Sequence, residues 1–184
     1  MPDDAPEEFL DAVECLHAVH LRPEVMVEEV PAPQRIAPHA LALSADVVVD
    51  DEELATGRFV LLFDPAGQES WDGTFRAVTF VRAALESDLG GDPLVGEIAW
   101  TWLRESLEAC EVEYRAAGCT VTRVVSESFG TLSERPPSVE LEIRASWTPT
   151  GDVASHLVAW SHLLCTVGGL PPLPQGVAAL PRRR

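Results

Sequence analysis

Apolar and polar positions alternate most cleanly in "SVELEIRASW". There Val139, Leu141, Ile143, Ala145 and Trp147 fall on one side and Glu140, Glu142 and Arg144 on the other. A period of two predicts a strand with one buried face. The same spacing recurs over His39–Val49, where Leu41, Leu43, Ala45, Val47 and Val49 alternate. "TGRFVLLFDPAG" is nearly all apolar, which predicts a central strand buried on both faces. "TFRAVTFVRA" fits a strand or a helix. The tight turn behind it favours a hairpin, because Asp64-Pro65-Ala66-Gly67 carries the type I signature. Asp50-Asp51-Glu52-Glu53 reads as the turn before that central strand, and four adjacent acids there read as a solvated loop rather than a cation site. β-Branched "AGCTVTRVVSE" closes the set with the first-quoted strand, across a loop from Gly130 to Ser138.

Three segments instead show the helical period. Over Pro6–Leu21, Phe9, Ala12, Val13, Leu16 and Val19 share a face, and Arg22-Pro23 stops the run. Asp92-Pro93 supplies a cap and a first-turn proline for a helix to about Cys110. Its polar stripe, Glu97, Thr101, Arg104 and Glu108, is narrow. The apolar remainder, Trp100, Trp102, Leu103 and Leu107 included, is too wide for one sheet face. Helix 92–110 is therefore expected to be covered twice, the second time by another copy in a homodimer. The last helix spans about Asp152–Val167, with Val153, Leu157, Trp160, Leu163, Leu164 and Val167 as its core stripe. Pro31, Pro33 and Pro38 mark an extended linker or edge segment.

The expected fold class is α+β: helix, three strands, helix, two strands, helix, with one five-stranded antiparallel sheet packed by helices. Residues 1–184 read as a single domain, with a core over about 6–168 and a proline-rich tail with an arginine end over 169–184.

Composition narrows the function. The chain has 46% hydrophobic residues, enough to build a core, and a net charge of −17. A polyanion would be repelled unless the cations gathered on one surface, so direct nucleic-acid binding is not expected. Arg58, Arg76, Arg82, Arg123 and Arg144 are the strand positions from which such a surface would have to come. All 13 cations are arginine, and asparagine is also absent, a bias that fits a GC-rich bacterial genome. Without lysine, Schiff-base and pyridoxal phosphate chemistry, a Walker loop and a kinase ATP lysine are excluded. Cys15, Cys110, Cys119 and Cys165 form no CxxC pair, which fits a reducing, cytoplasmic setting. No signal peptide or membrane-length apolar run is visible.

Chemical candidates are few. His162 and Cys165 stand three apart, but zinc needs three or four ligands, so a surface histidine beside a buried thiol is the preferred reading and no metal is expected. Gly168-Gly169 reads as the helix end, and Leu170–Pro174 as extended chain along the surface. His20 and His156 fall on apolar helix faces. Partly buried histidines with backbone partners are the ordinary explanation, and convergence into a ligand or catalytic site is the alternative. No nucleophile elbow or glycine-rich phosphate loop is present, and no catalytic residue or cofactor is assigned.

"RPEV", "PAPQRIAPHALAL", "ELATGRFVLLFDPAG", "DPLVGEIAWTWL", "GCTVTRVVSESFG", "IRASWTP" and "LLCTVGGLPPLPQGV" together resemble the actinobacterial domain of unknown function family 3000, over nearly the whole chain. The resemblance implies no catalytic residues. Through the frequent neighbourhood of such genes to a ribonuclease D-like exonuclease, it implies a link to RNA metabolism. The element order is similar to the type III secretion chaperone-like fold, which implies a small acidic dimer that binds extended client segments. The expectation is a non-enzymatic cytoplasmic adaptor or chaperone-like protein. Its partner contacts are expected at the outer sheet face (Thr122, Glu142 and Arg144) and at an exposed tryptophan turn, Trp71. The alternative is a small-ligand binder or enzyme using His20 and His156.

Overall fold

The computed structural model describes residues 5–172. In chain order these form α1 (Glu7–His17), β1 (Val25–Val30), β2 (His39–Val49), β3 (Glu52–Gln68), β4 (Gly73–Leu85), α2 (Val95–Ala109), β5 (Glu113–Ser126), β6 (Ser138–Thr150) and α3 (Val153–Val167). The fold is α+β with one six-stranded sheet, ordered β1-β2-β3-β4-β6-β5, and every neighbouring pair is antiparallel. The sheet therefore has one strand more than the alternation predicts. The addition is β1, an edge strand whose residues are mostly exposed, so it carries no clean apolar period.

The first four strands form a meander. Asp50 and Asp51 turn β2 into β3 with φ of 51° and 66°, the left-handed pair that a tight hairpin requires. The signature at Asp64–Gly67 does not reverse the chain. Phe63 pairs with Phe75 and Gln68 with Gly73, so the segment bulges out and the reversal comes at Glu69–Asp72. α2 then crosses to β5, the far edge, and β6 returns between β4 and β5.

Register sorts the strands into two faces. Leu41, Leu43, Phe59, Leu61, Val81 and Ile143 point to the helices and join the main core. α3 lies in the middle of that core, with Leu157, Trp160, Leu163 and Leu164 all within 1% of full burial. It starts at Asp152, whose carboxylate accepts from the N–H groups of Ala154 and Ser155. Gly57 lets it approach β3. A Cβ there would lie 2.7 Å from the Phe80 carbonyl oxygen and 2.8 Å from Trp160 Cζ2.

A second, smaller core lies on the opposite face, at one end. Ala42, Val60, Leu62 and Trp71 pack there with Val30, Ala32, Ala37 and Ala40. β3 is thus buried from both sides, as its composition predicts. Trp71 is only 8% exposed, which corrects the expected exposed tryptophan turn: its ring fills this second core, and its carbonyl accepts from the Thr148 hydroxyl. α1 ends at His17 rather than Leu21. His20 therefore follows the helix instead of extending its apolar face, and it is exposed. The proline-rich stretch from Leu173 and Arg182–Arg184 lie outside the described residues. Among the described residues no helix is long and apolar enough to cross a membrane.

Candidate binding face of the sheet

All three helices lie on one side of the sheet, and most of the other side is open. Its centre is a groove of about 920 Å³ that reaches from β2 to β5. Ladder register builds its middle row. Ser44 pairs with Arg58, Arg58 with Phe80, Phe80 with Arg144 and Arg144 with Thr120. Paired residues point to the same side, so five strands present hydroxyl, guanidinium, ring, guanidinium and hydroxyl in line. Val60 and Val78 form the apolar row beside them.

The two guanidinium groups differ. Arg144 lies 5.3 Å above the Phe80 ring and is paired with Glu142 at 2.7 Å. Arg58 is exposed and has no hydrogen-bond or ion-pair partner among the described residues. The next row holds Asp46, Thr56, Arg82, Glu142 and Thr122. Thr56 donates to Asp46 at 2.6 Å.

Four of the five strand arginines singled out in the sequence, Arg58, Arg76, Arg82 and Arg144, share this face by register. Arg76 is committed to structure. It donates to the Ala116 carbonyl, the Thr148 hydroxyl and the Ser146 hydroxyl, and so ties β4 to the irregular start of β5. Burial lowers its pKa. Arg123 instead donates to the carbonyls of Gly90 and Asp92. Of the expected contact residues, Thr122, Glu142 and Arg144 lie together on the open face, whereas Trp71 supports it from the second core. Phe80, which sequence reading left among generic strand apolars, is the aromatic centre of the row.

The histidines do not meet in a common hollow. His156 is fully buried, and its Nδ1 accepts from Trp147 Nε1 at 3.0 Å. Burial lowers its pKa, against opposing contributions from the Thr150 backbone and Asp152. His20 bonds the Ala18 carbonyl and lines a shallow hollow with His17, Leu21 and Leu157, to which His156 does not contribute. His162, expected on the surface, lies 3.6 Å from Cys110 Sγ across α2 and α3. Burial, and then Arg22, lower its pKa, and burial raises that of the Cys110 thiol, so both groups favour their neutral forms. Cys165 is buried, as expected, and burial pushes its pKa up to about 11. Among the described residues no three His, Cys, Asp or Glu side chains are grouped to hold a metal.

On α2, Leu94 is 55% and Ile98 40% exposed, and with Trp102 they line a shallow hollow on its outer side. This is the surplus apolar surface that the sequence pattern predicts.

An antiparallel sheet with helices on one face and a polar–aromatic groove on the other defines an α+β protein. The chain belongs to the family described as protein of unknown function (DUF3000), whose model matches residues 5–178. No curated protein and no solved structure matches it.

Proposed function

We propose that this protein is a non-enzymatic, cytoplasmic adaptor with a chaperone-like mode of binding, and that the open sheet face receives its protein partner. The observation that carries this reading is the groove that crosses β2 to β5 with no element of the described chain laid over it. A sheet face left to water is normally polar throughout. Here Phe80, Val60 and Val78 sit at its middle, flanked by arginines and hydroxyls. Aromatic and arginine side chains are the types that dominate protein-binding surfaces. The groove is also broad rather than enclosed, which suits a macromolecular segment better than a small molecule that needs burial on most sides.

The reading built on His20 and His156 lacks a shared cavity. A link to RNA metabolism would run through the partner, because Asp46, Glu140 and Glu142 stand among the four arginines of the open face and would repel a strand charged at every nucleotide. A homodimer would use the outer stripe of α2, which leaves the groove free.

The test is a photo-crosslinking amino acid at Val78, in the groove, against one at Thr101, on α2, in the native bacterium. The expected result is one stoichiometric adduct with a different protein from position 78, and from 101 no adduct other than a second copy of the chain. A small molecule or RNA as the sole adduct at 78, or no adduct, refutes the adaptor reading.

A further inference from the structure

We infer that the groove selects an extended acidic segment that carries an aromatic or large apolar residue, held with carboxylates toward Arg58 and Arg144 and its apolar side chain on Phe80. The inference rests on the adaptor reading and names the chemistry of the partner.

Geometry sets the length. β2 to β5 are five adjacent strands, so the groove floor is about 19 Å across, enough for about six extended residues. Arg58 and Arg144 are two strands apart, roughly 10 Å, with Phe80 between them. Alternate side chains of an extended segment are about 7 Å apart on one side. Acids at positions i and i+4 are about 13 Å apart, and long flexible guanidinium groups cover the difference, so each acid can reach an arginine. The residue at i+2 points to the same side, between the two acids, and meets Phe80, Val60 or Val78.

Charge sets the sign. In a chain of net charge −17, Arg58 is exposed and has no acidic partner among the described residues. Arg144 is held over Phe80 by Glu142 and lines the groove. Arginine at such a place offers two parallel donors to a carboxylate. Ser44, Thr120 and Ser146 add hydroxyls along the same rows for the segment's backbone.

Magnitude separates this occupant from a polyanion. Repulsion between exposed charges is screened beyond about 8 Å at physiological salt. A segment with two or three carboxylates, all close to arginine, escapes most of the long-range repulsion. A nucleic acid strand carries a charge at every nucleotide and has only these few cations to meet it.

The experiment pans a library of short random peptides on the immobilised full chain, and again on the R58E/R144E chain. Affinities of selected peptides are then measured by fluorescence anisotropy. The expected result is enrichment of Asp or Glu four positions apart, with an aromatic or large apolar residue midway between them. Binding should weaken at least about tenfold in R58E/R144E and in Phe80→Ala. Replacing the peptide's acids by amides should weaken it similarly, and this arm does not depend on any protein variant. Selection of neutral or basic peptides overturns the inference but leaves open-face docking standing. Acidic peptides that bind R58E/R144E equally well overturn both the assigned chemistry and the place. Failure to select any peptide counts against the adaptor reading as well. A fluorescent oligouridylate binding the wild-type chain more tightly than any peptide would replace the acidic segment with RNA.

Discussion

Gly57 is where α3 comes closest to the sheet, and adding a single methyl group there tests the packing directly. In Gly57→Ala the new Cβ would stand 2.7 Å from the Phe80 carbonyl oxygen, 2.8 Å from Trp160 Cζ2 and 2.9 Å from Leu164 Cδ1. Ordinary carbon contacts lie at about 3.5–4.0 Å, so the helix must withdraw by roughly 1 Å or the strand must distort. The carbonyl is fixed by β3–β4 pairing, and Trp160 and Leu164 are fully buried, so no exposed group can absorb the shift. Overpacking of this kind costs about 1–3 kcal/mol. Loss of glycine's freedom in the unfolded chain returns about 0.4–1 kcal/mol. The net expectation is a loss of about 1.3 kcal/mol. Urea unfolding followed by tryptophan fluorescence reads it. With a slope of about 2 kcal/mol per molar, the midpoint should fall by about 0.6 M at unchanged slope. In a Leu164→Ala background one clash is gone, and the same substitution should cost about 1 kcal/mol less. An unchanged or higher midpoint for Gly57→Ala would refute this account of the helix–sheet contact.

Other consequences are open to equally direct measurement. Asp152→Ala should cost about 1 kcal/mol in the same urea assay, because two N–H groups at the start of α3 lose their acceptor, and Asp152→Asn should retain most of the stability. Hydrogen bonds from Ser155 hold the Asp152 carboxyl below its ordinary 3.8, so this contribution is present above that value and lost as pH falls through the lower folded pKa. Burial lowers the pKa of His156 and His162 below 6.5, so the unfolded chain binds more protons in that range. Stability should therefore decline as pH drops below 6.5, and a flat urea midpoint from neutral pH through that range would contradict the buried imidazoles. Ile98→Glu places a charge in the outer stripe of α2. Sedimentation velocity should then show a smaller species than wild type if that stripe joins two copies, and wild-type sedimentation as a monomer would dispose of the dimer.

Much of the architecture was legible because burial imposes periodicity. β6 alternates since one face meets the helices and the other meets water, and β3 is continuously apolar since both faces are covered. β1 escaped detection because only Val25 is buried: hydrogen bonding to β2 makes it a strand, and backbone pairing leaves little trace in side-chain type. Trp71 misled because its partners, Ala32 and Ala37 among them, come from a distant proline-bearing segment that has no period to read. The open face was half visible. Arg58, Arg76 and Arg82 occupy positions of equal parity on two adjacent strands, but only the register fixes them opposite Phe80 and Arg144. The pairing of His156 with Trp147 depended on how α3 docks against β6, which neither segment encodes alone.

The strand order also constrains how the chain can assemble as it is made. β5 touches the sheet only through β6, and β6 is synthesised after it. A nascent chain that has emerged as far as β5 thus holds a four-strand meander whose β4 border is bare from Ala77 to Leu85. β4 and β5 must wait for Ser138–Thr150 to insert between them, a long-range closure that is slow compared with hairpin formation. Until then the half-made protein is most exposed to mispairing, and any shielding during synthesis would have to act on that border.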